Sequence, residues 1–360
     1  MTSTQAAAIG DTLVTGHAAV RAALADPRLA VPPVGPATAA DREHRTTAWL
    51  RAEAARFADG EPHTRRRALV ANCLAGVAPD ALGAAARTTT AAILGRRAEP
   101  VDVMAELARR VPVRVVGAAL GAGESDLDSL VAAILSIAPA YQPGAPDHAV
   151  RRADEGVARV AAILRPGPGT RNGTGDDERT ANLVAILVQT CDATAGLIGN
   201  TAVAALPAGP RVADAKSTEG AKSAERPEHP GYPGIPVAAL VHETLRLDPP
   251  VRGTRRRTTA PVPELGLPEG ASVFLDFAGA NRDPDVFPDP DTFDPARGHT
   301  AHLTFGHGLH ACPGRDHALA IACGVLEALS ADGRRRVDTP VAYEAHPVLR
   351  IPASLFVEPR

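Results

Sequence analysis

The sequence is poor in cysteine, lysine and aromatic residues, and each scarcity excludes something. Four cysteines among 360 residues, Cys73, Cys191, Cys312 and Cys323, include no C-x-x-C pair, which argues against a disulfide scaffold and a structural zinc site. Lysine occurs only at Lys216 and Lys222, and 38 basic side chains face 41 acidic ones for a net charge of −3. That balance points to no nucleic-acid partner. Aromatic residues are only 3% of the chain, so a binding pocket built on aromatic stacking is not expected. No window approaches the ~20 apolar residues of a membrane span, and the start, MTSTQAAAIGDTLVTGHAAV, has no basic leader. The expectation is a soluble, cytoplasmic chain without a membrane partner. What is present is ordinary for a folded protein: 45% hydrophobic and 22% charged residues, enough for a sizeable core.

The first half carries apolar residues at helical spacing. The pattern runs over 17–25, stopping before Asp26-Pro27, over 63–75 with a basic first turn, and over 101–120, where Pro112 predicts a break. A Gly- and Pro-rich loop is expected at 164–178. The stretch 179–206 is apolar nearly all round and predicts a helix buried through the middle of the protein. Near its centre lies a polar interruption, Gln189-Thr190-Cys191-Asp192-Ala193-Thr194. Polar groups in such a place satisfy one another or line a cavity. Segment 207–235 reads as a surface linker and 236–246 as a helix. Short β-like runs lie between 251 and 277. The proline-rich stretch 281–297 is too long to be a casual loop and implies a structural job. A last helix at 314–330 and a β-like tail complete a mainly α chain with a minor β part, a single domain over 1–360.

The chemistry concentrates in Phe305-Gly306-His307-Gly308-Leu309-His310-Ala311-Cys312-Pro313-Gly314. Two glycines before the cysteine permit a tight backbone turn. Gly314 allows close approach of something flat just before a helix. A cysteine at a helix N-terminus sits in positive potential, which favours the thiolate. A thiolate on haem iron pushes electron density toward O–O cleavage. Without such a partner, Cys312 would be a free cysteine in a glycine-rich turn.

This segment resembles, position for position, the F-G-x-G-x-H-x-C-x-G haem-binding loop of the cytochromes P450. The resemblance implies a P450 fold built around a buried haem b. It makes Cys312 the proximal iron ligand, with Phe305 shielding its sulfur and His310 reaching a haem propionate. It extends along most of the chain. Glu243-Thr244-Leu245-Arg246 resembles the family's E-x-x-R, a pair on one helix face that grips the loop before the cysteine, and Asp248-Pro249-Pro250-Val251 follows it. Asn281-Arg282-Asp283-Pro284 through Phe293-Asp294-Pro295 is similar to the segment preceding the haem loop in bacterial members. His63 and Arg67 resemble the propionate clamp H-x-x-x-R, and Arg256 falls at the matching position after the Pro-Pro. Anionic propionates call for partly buried cations. Segment 10–29 resembles the family near its start.

The sequence also departs from the family. The usual opening helix and strand are shortened or absent, and the region before Glu243 is short and polar. In the central helix the family carries an acid followed by a threonine that relay protons to iron-bound oxygen. Here Asp192 takes the acid position, Ala193 the alcohol position, and Thr194 comes one residue late, about 100° round the helix. The family's glycine kink is replaced by Gln189-Thr190. Protons are then expected from an ordered water, the substrate, Gln189 or Thr190, while Asp192 either serves as the acid or only bonds its own helix. The resemblance implies a monooxygenase using O2 or peroxide on a small molecule or peptide, in natural-product tailoring. Electrons would come from a ferredoxin and its reductase, received on a basic face that includes Arg65 and Arg66. Radical coupling, peroxide-driven chemistry and a non-catalytic haem-binding partner protein are the alternatives.

Overall fold

The longest apolar run of the sequence becomes the axis of the molecule. The structure is a computed structural model that describes residues 11–142, 144–164, 174–207, 232, 234–298 and 301–359. In chain order come β1 (Thr12–Val14), α1 (His17–Ala25), β2 (Leu29–Ala30), α2 (Ala39–His44), α3 (Thr47–Glu53), α4 (Gly60–Ala75) and α5 (Pro79–Leu94). They are followed by β3 (Val101–Asp102), α6 (Val111–Ala119), α7 (Leu127–Ile137), α8 (Asp147–Ile163), α9 (Thr174–Ala205) and α10 (Val237–Leu247). The chain closes with β4 (Gly253–Thr258), β5 (Ser272–Asp276), α11 (Phe277–Ala280), α12 (Arg315–Ala331), β6 (Arg335–Arg336) and β7 (Phe356–Glu358).

All residues from Ala181 to Val188 on α9 are buried, because α3, α4, α6, α7, α10 and α12 pack around it. By length and composition Asp176–Ala205 could cross a membrane, but 78% of its most apolar window is buried inside the protein. The expectation that no window is long and apolar enough is therefore corrected. This chain's own helices cover that surface. Asn182, 1% exposed, is tolerated on α9 because it is fully used. Its Oδ1 accepts from Ala55 N–H, and its Nδ2 donates to the carbonyls of Glu53 and Glu178. This ties the segment between α3 and α4 to the central helix.

The β part forms two small sheets. In the first the order is β1-β5-β4-β2, with β1 parallel to β5 and the other pairs antiparallel. β1 supplies a strand where the opening strand was expected to be shortened or absent. The second sheet, β3-β7-β6, is antiparallel. A separate apolar cluster lies under the first sheet and includes Val20, Leu24, Val273, Leu275 and Leu303.

The helix expected over 101–120 divides differently. After β3, Val103–Ala108 winds as a π-helix and α6 starts at Val111. Pro112 lies in the first turn of α6 and begins that helix, because its missing N–H has no partner there anyway; the break falls at Arg109-Arg110. Most of the expected linker 207–235 lies outside the described residues, as does most of the loop 164–178.

The proline-rich stretch 281–297 has the job its length implied. Arg246, fully buried, donates through Nε and Nη2 to both carboxylate oxygens of Glu243, at 3.0 and 2.6 Å. Its remaining donors go to the carbonyls of Asn281, Pro290 and Thr292. Glu243 in turn accepts the Asp294 N–H at 2.9 Å. With no internal ladder to satisfy its carbonyls, the loop borrows a guanidinium from α10. Asn281 passes the order on, donating to Thr304 Oγ1 and accepting from Leu303 N–H. The ion pair thereby holds the strand of chain that leads into the cysteine loop.

Candidate functional site around Cys312

The cysteine loop is closed by its own backbone. Cys312 N–H donates to Phe305 C=O at 2.7 Å, Gly306 N–H to Leu303 C=O at 2.7 Å, and Ala311 N–H to Gly308 C=O at 3.1 Å. The turn runs through left-handed backbone at Gly306 (φ 74°) and Gly308 (φ 69°), where a side chain is strained. At Gly308 a Cβ would also meet Leu24 O at 3.2 Å. Gly314 is different. It caps α12, and an added Cβ would meet only Leu74 Cδ1, at 3.9 Å. No contact within the protein demands a glycine there, which fits a site shaped for a group the chain itself does not supply.

Four arginines and His63 gather round this loop and its own His310. Arg67 of α4, Arg56 of the α3–α4 segment and Arg315 at the start of α12 all act electrostatically on Cys312. His63 of α4 is 5% exposed and stacks on His310, ring centroids 4.0 Å apart. Burial, then the neighbouring His310 and Arg67, push the His63 pKa down to about 4. Arg256 on β4 is 6% exposed. Its Nη1 donates to Thr254 Oγ1 and to the Arg255 carbonyl, both at 3.0 Å. No carboxylate among the described residues lies within ion-pair distance of it. Burial, then repulsion from Arg56, lower its pKa to about 10. A buried guanidinium with only the more distant Asp59 charge to offset it is expensive, and such a group suits an anionic partner.

Cys312 is an exposed residue at the end of this loop, with protein packed closely around its thiol. Burial raises its pKa, and the Gly314 N–H with Arg67, Arg56 and Arg315 only partly offsets that. The helix start favours the thiolate as expected, through the Gly314 N–H, but desolvation contributes more in the opposite direction. A metal cation at the sulfur would reverse the balance, because coordination deprotonates a thiol outright. Phe305 packs against the main core, with the Arg315 guanidinium 5.6 Å from its ring centroid.

The structure adds residues that sequence reasoning missed. Asp59, just before α4, takes the His310 Nε2–H at 3.0 Å on one oxygen and the Val31 N–H at 2.9 Å on the other. Burial works against its charge, but these two bonds hold the carboxyl below its usual range. His310 is thereby held by a protein carboxylate in this structure. Arg56 was missed as well. Arg65 and Arg66 do not form an open basic face. Arg65 pairs with Glu61 and Glu178, and Arg66 with Glu178 and Glu53, at 2.6–2.8 Å; Glu53 also holds Arg42.

On α9 the residues Ile186, Gln189, Thr190 and Ala193 share one face at i, i+3, i+4 and i+7. Gln189 is exposed and Thr190 and Ala193 half-buried, in the middle of an otherwise buried helix, so this stripe borders an open space. Thr190 Oγ1 donates to Ile186 C=O at 2.8 Å and Gln189 Nε2 to Ala185 C=O at 3.0 Å. Thr194, four residues on from Thr190, is 3% exposed, in contrast to the half-open Thr190 and Ala193. Asp192 lies on the flank. It does more than bond its own helix, since Arg109 Nε stands 3.5 Å from its carboxylate.

The cytochrome P450 family model matches residues 234–322. The chain is 30% identical over 319 residues to cytochrome P450 107B1 of Saccharopolyspora erythraea, covering 82% of this chain and 70% of that protein. It is 30% identical over 281 residues to erythromycin C-12 hydroxylase of the same organism, covering 70% of this chain and 66% of that one. A solved structure of P450BioI in complex with an acyl carrier protein ligated to hexadec-9Z-enoic acid superposes with a TM-score of 0.78 at 19% identity. The overlap takes in 97% of this chain and 92% of that one. Sequence, fold and the closed cysteine loop agree, and the chain belongs to the cytochrome P450 family of haem b oxidoreductases.

Proposed function

We propose that this protein is a haem-thiolate monooxygenase that oxidises a small organic molecule or peptide in natural-product tailoring. The observation that carries the reading is the pairing of a backbone-locked cysteine with a buried Arg256 that has no carboxylate within ion-pair distance among the described residues. Cys312 would ligate the iron, and Arg256, Arg67 and His63 would hold the propionates, with Gly314 giving the flat macrocycle its approach. Haem b supplies the activation of O2. The protein's own part is to exclude water, hold the substrate and place protons. Substrate would lie against the stripe Ile186, Gln189 and Ala193, with further walls from the loop 30–55 and from Ile351. Protons would pass by way of Thr190 Oγ1, the Gln189 amide or an ordered water, with Asp192 as the acid on the flank.

Electrons would come from a ferredoxin and its reductase. Exposed Arg315, beside the exposed Leu309, suits an acidic donor better than the neutralised Arg65 and Arg66. Cytoplasmic placement follows from the same reading. A second reading, radical coupling or peroxide-driven oxidation, is favoured by one specific feature. Ala193 puts no hydroxyl at the stripe position nearest the family's proton donor, and the Thr190 hydroxyl is already donated to Ile186.

The test is spectroscopic. The ferrous carbonyl form of the purified protein is expected to show the red-shifted Soret band of thiolate ligation, and Cys312→Ser to lose that band together with substrate oxidation. A Cys312→Ser protein that keeps both would end the proposal. Turnover with O2 and a ferredoxin system, compared with turnover on peroxide alone, separates the two readings.

A further inference from the structure

A second cluster of ionisable groups lies on the flank of α9, and its geometry depends on two glycines. Asp192, Gly196 and Gly199 recur at i, i+4 and i+7, one stripe of the helix. A Cβ on Gly196 would strike Pro250 Cβ at 2.8 Å and Arg350 O at 3.0 Å. One on Gly199 would strike Met104 Sδ at 2.6 Å and Pro352 Cγ at 3.0 Å. The bare helix surface therefore lets two segments press against it, the π-helix at Val103–Ala108 and the C-terminal tail. The tail is a pinned hairpin: Glu344 N–H donates to Ile351 C=O and Ala353 N–H to Ala342 C=O, and the Arg350 guanidinium lies 3.5 Å over the Tyr343 ring. Close packing of these two segments brings Arg109 from one and Glu344 and His346 from the other to Asp192.

Within the cluster two carboxylates share one guanidinium, unequally. Arg109 Nη2 meets Glu344 Oε1 at 2.6 Å, while its Nε stands 3.5 Å from Asp192 Oδ1. His346 offers no second cation. Its Nδ1 accepts the N–H groups of Val348 and Leu349 at 3.1 and 2.9 Å, so the ring is neutral with its proton on Nε2, and burial lowers its pKa further. Among the described residues, Arg255 of β4 acts on His346 from further off, and on α9 itself the Cys191 thiol reaches Asp192 at 3.7 Å. Burial pushes that thiol up as well, so it stays neutral. One positive charge therefore faces two carboxyl groups, and the better-placed carboxylate takes it.

We propose that Glu344 is a positioning residue for the distal chemistry: by holding Arg109 it leaves Asp192 a carboxyl group able to carry and release a proton. The proposal rests on reading Asp192 as the acid of the distal face. Two carboxyl groups sharing one counter-charge cannot both ionise freely. Burial, with Glu344 adding to it against the opposing pull of Arg109, raises the Asp192 pKa in line with this.

The test uses the full-length, haem-loaded protein in its diamagnetic ferrous carbonyl form, with 13C-labelled aspartate and Asp192 assigned through Asp192→Asn. The Asp192 titration midpoint is expected above the ordinary 3.8. Glu344→Gln removes a repelling charge and releases Arg109, so the midpoint falls by about one unit, a tenfold change in the proton-binding constant. Arg109→Gln moves it the other way. The Soret band and circular dichroism of each variant verify that it has folded. An unperturbed wild-type midpoint, or a Glu344→Gln protein whose midpoint stays or rises, overturns the proposal. Product formed per O2 consumed in Asp192→Asn tests the underlying reading separately. If coupling is unchanged while the midpoints still move as stated, Glu344 keeps its role over Asp192 but that carboxyl is not the proton source.

Discussion

The cysteine loop and the open stripe of α9 are built on different principles. In the loop, three backbone hydrogen bonds close the turn and two left-handed glycines fix the path. On the open stripe of Gln189, Thr190 and Ala193, the side chains are exposed or half-buried, and Gln189 and Thr190 bond carbonyls of their own helix. The first arrangement leaves one geometry for one ligand; the second leaves room for a substrate. The contrast shows where a haem enzyme of this kind spends its rigidity: on the group it always holds, not on the molecule it transforms.

The largest effect that would break this contrast lies in the support of the rigid side. Arg246→Ala leaves the buried Glu243 with only the Arg297 guanidinium, at 3.4 Å, and takes the Arg246 donors from three loop carbonyls. The expected loss is about 3–5 kcal/mol of stability, read from denaturant unfolding, and the variant should retain haem poorly. A variant that unfolds at the wild-type midpoint would show that α10 does not hold the loop.

Acid is the next probe. His63 has its pKa lowered to about 4 and His302 to about 3, burial being the main cause for each. Both rings titrate near 6.5 when unfolded, so between these values the unfolded chain binds protons that the folded one does not. Stability should therefore fall as pH drops below 6.5, by at most about 1.4 kcal/mol per unit for each ring. Scanning calorimetry from pH 7 to pH 4 should show the slope reduced in His63→Gln.

Arg256→Met sharpens the comparison by separating folding from ligation. Removing a buried cation with no carboxylate at ion-pair distance should stabilise the haem-free protein while weakening haem retention, the lost charged hydrogen bonds being worth about 1.5–3 kcal/mol. Haem transfer to apomyoglobin and thermal melts of the apo form measure the two arms. If both move in the same direction, the residue is an ordinary part of the core.

The smallest effects belong to the open side. Ala193→Thr should raise the product formed per O2 consumed, by less than the roughly hundredfold or more of a dedicated proton donor. Thr194→Val, at a buried position, should leave coupling unchanged and alter stability by about 1 kcal/mol. A larger response to Thr194→Val would mean that the stripe is misassigned.

Much of the fold was legible because its signals are local. The apolar run of α9, the i, i+3 pair Glu243 and Arg246, and the spacing Phe305-Gly306-x-Gly308-x-His310-x-Cys312 each lie within one stretch of chain. The extent of the π-helical segment was not legible, since Pro112 reads as a break and acts as a start. Asp59 was invisible because its partners, Val31 and His310, lie 28 and 251 residues away. Arg65 and Arg66 read as free charge only because Glu178 and Glu53 arrive from other helices.

The sequence alone therefore determined the elements with a periodic or positional signature: the central helix, the gripping pair and the cysteine loop with its glycines. Only tertiary structure decided which charges are spent and which are open. Arg65 and Arg66 are neutralised, Arg256 has no carboxylate within ion-pair distance among the described residues, and Arg109 is divided between Asp192 and Glu344. The reason is physical. Backbone geometry follows from neighbours in the chain, whereas the state of a charge follows from burial and from partners that folding brings within a few ångströms.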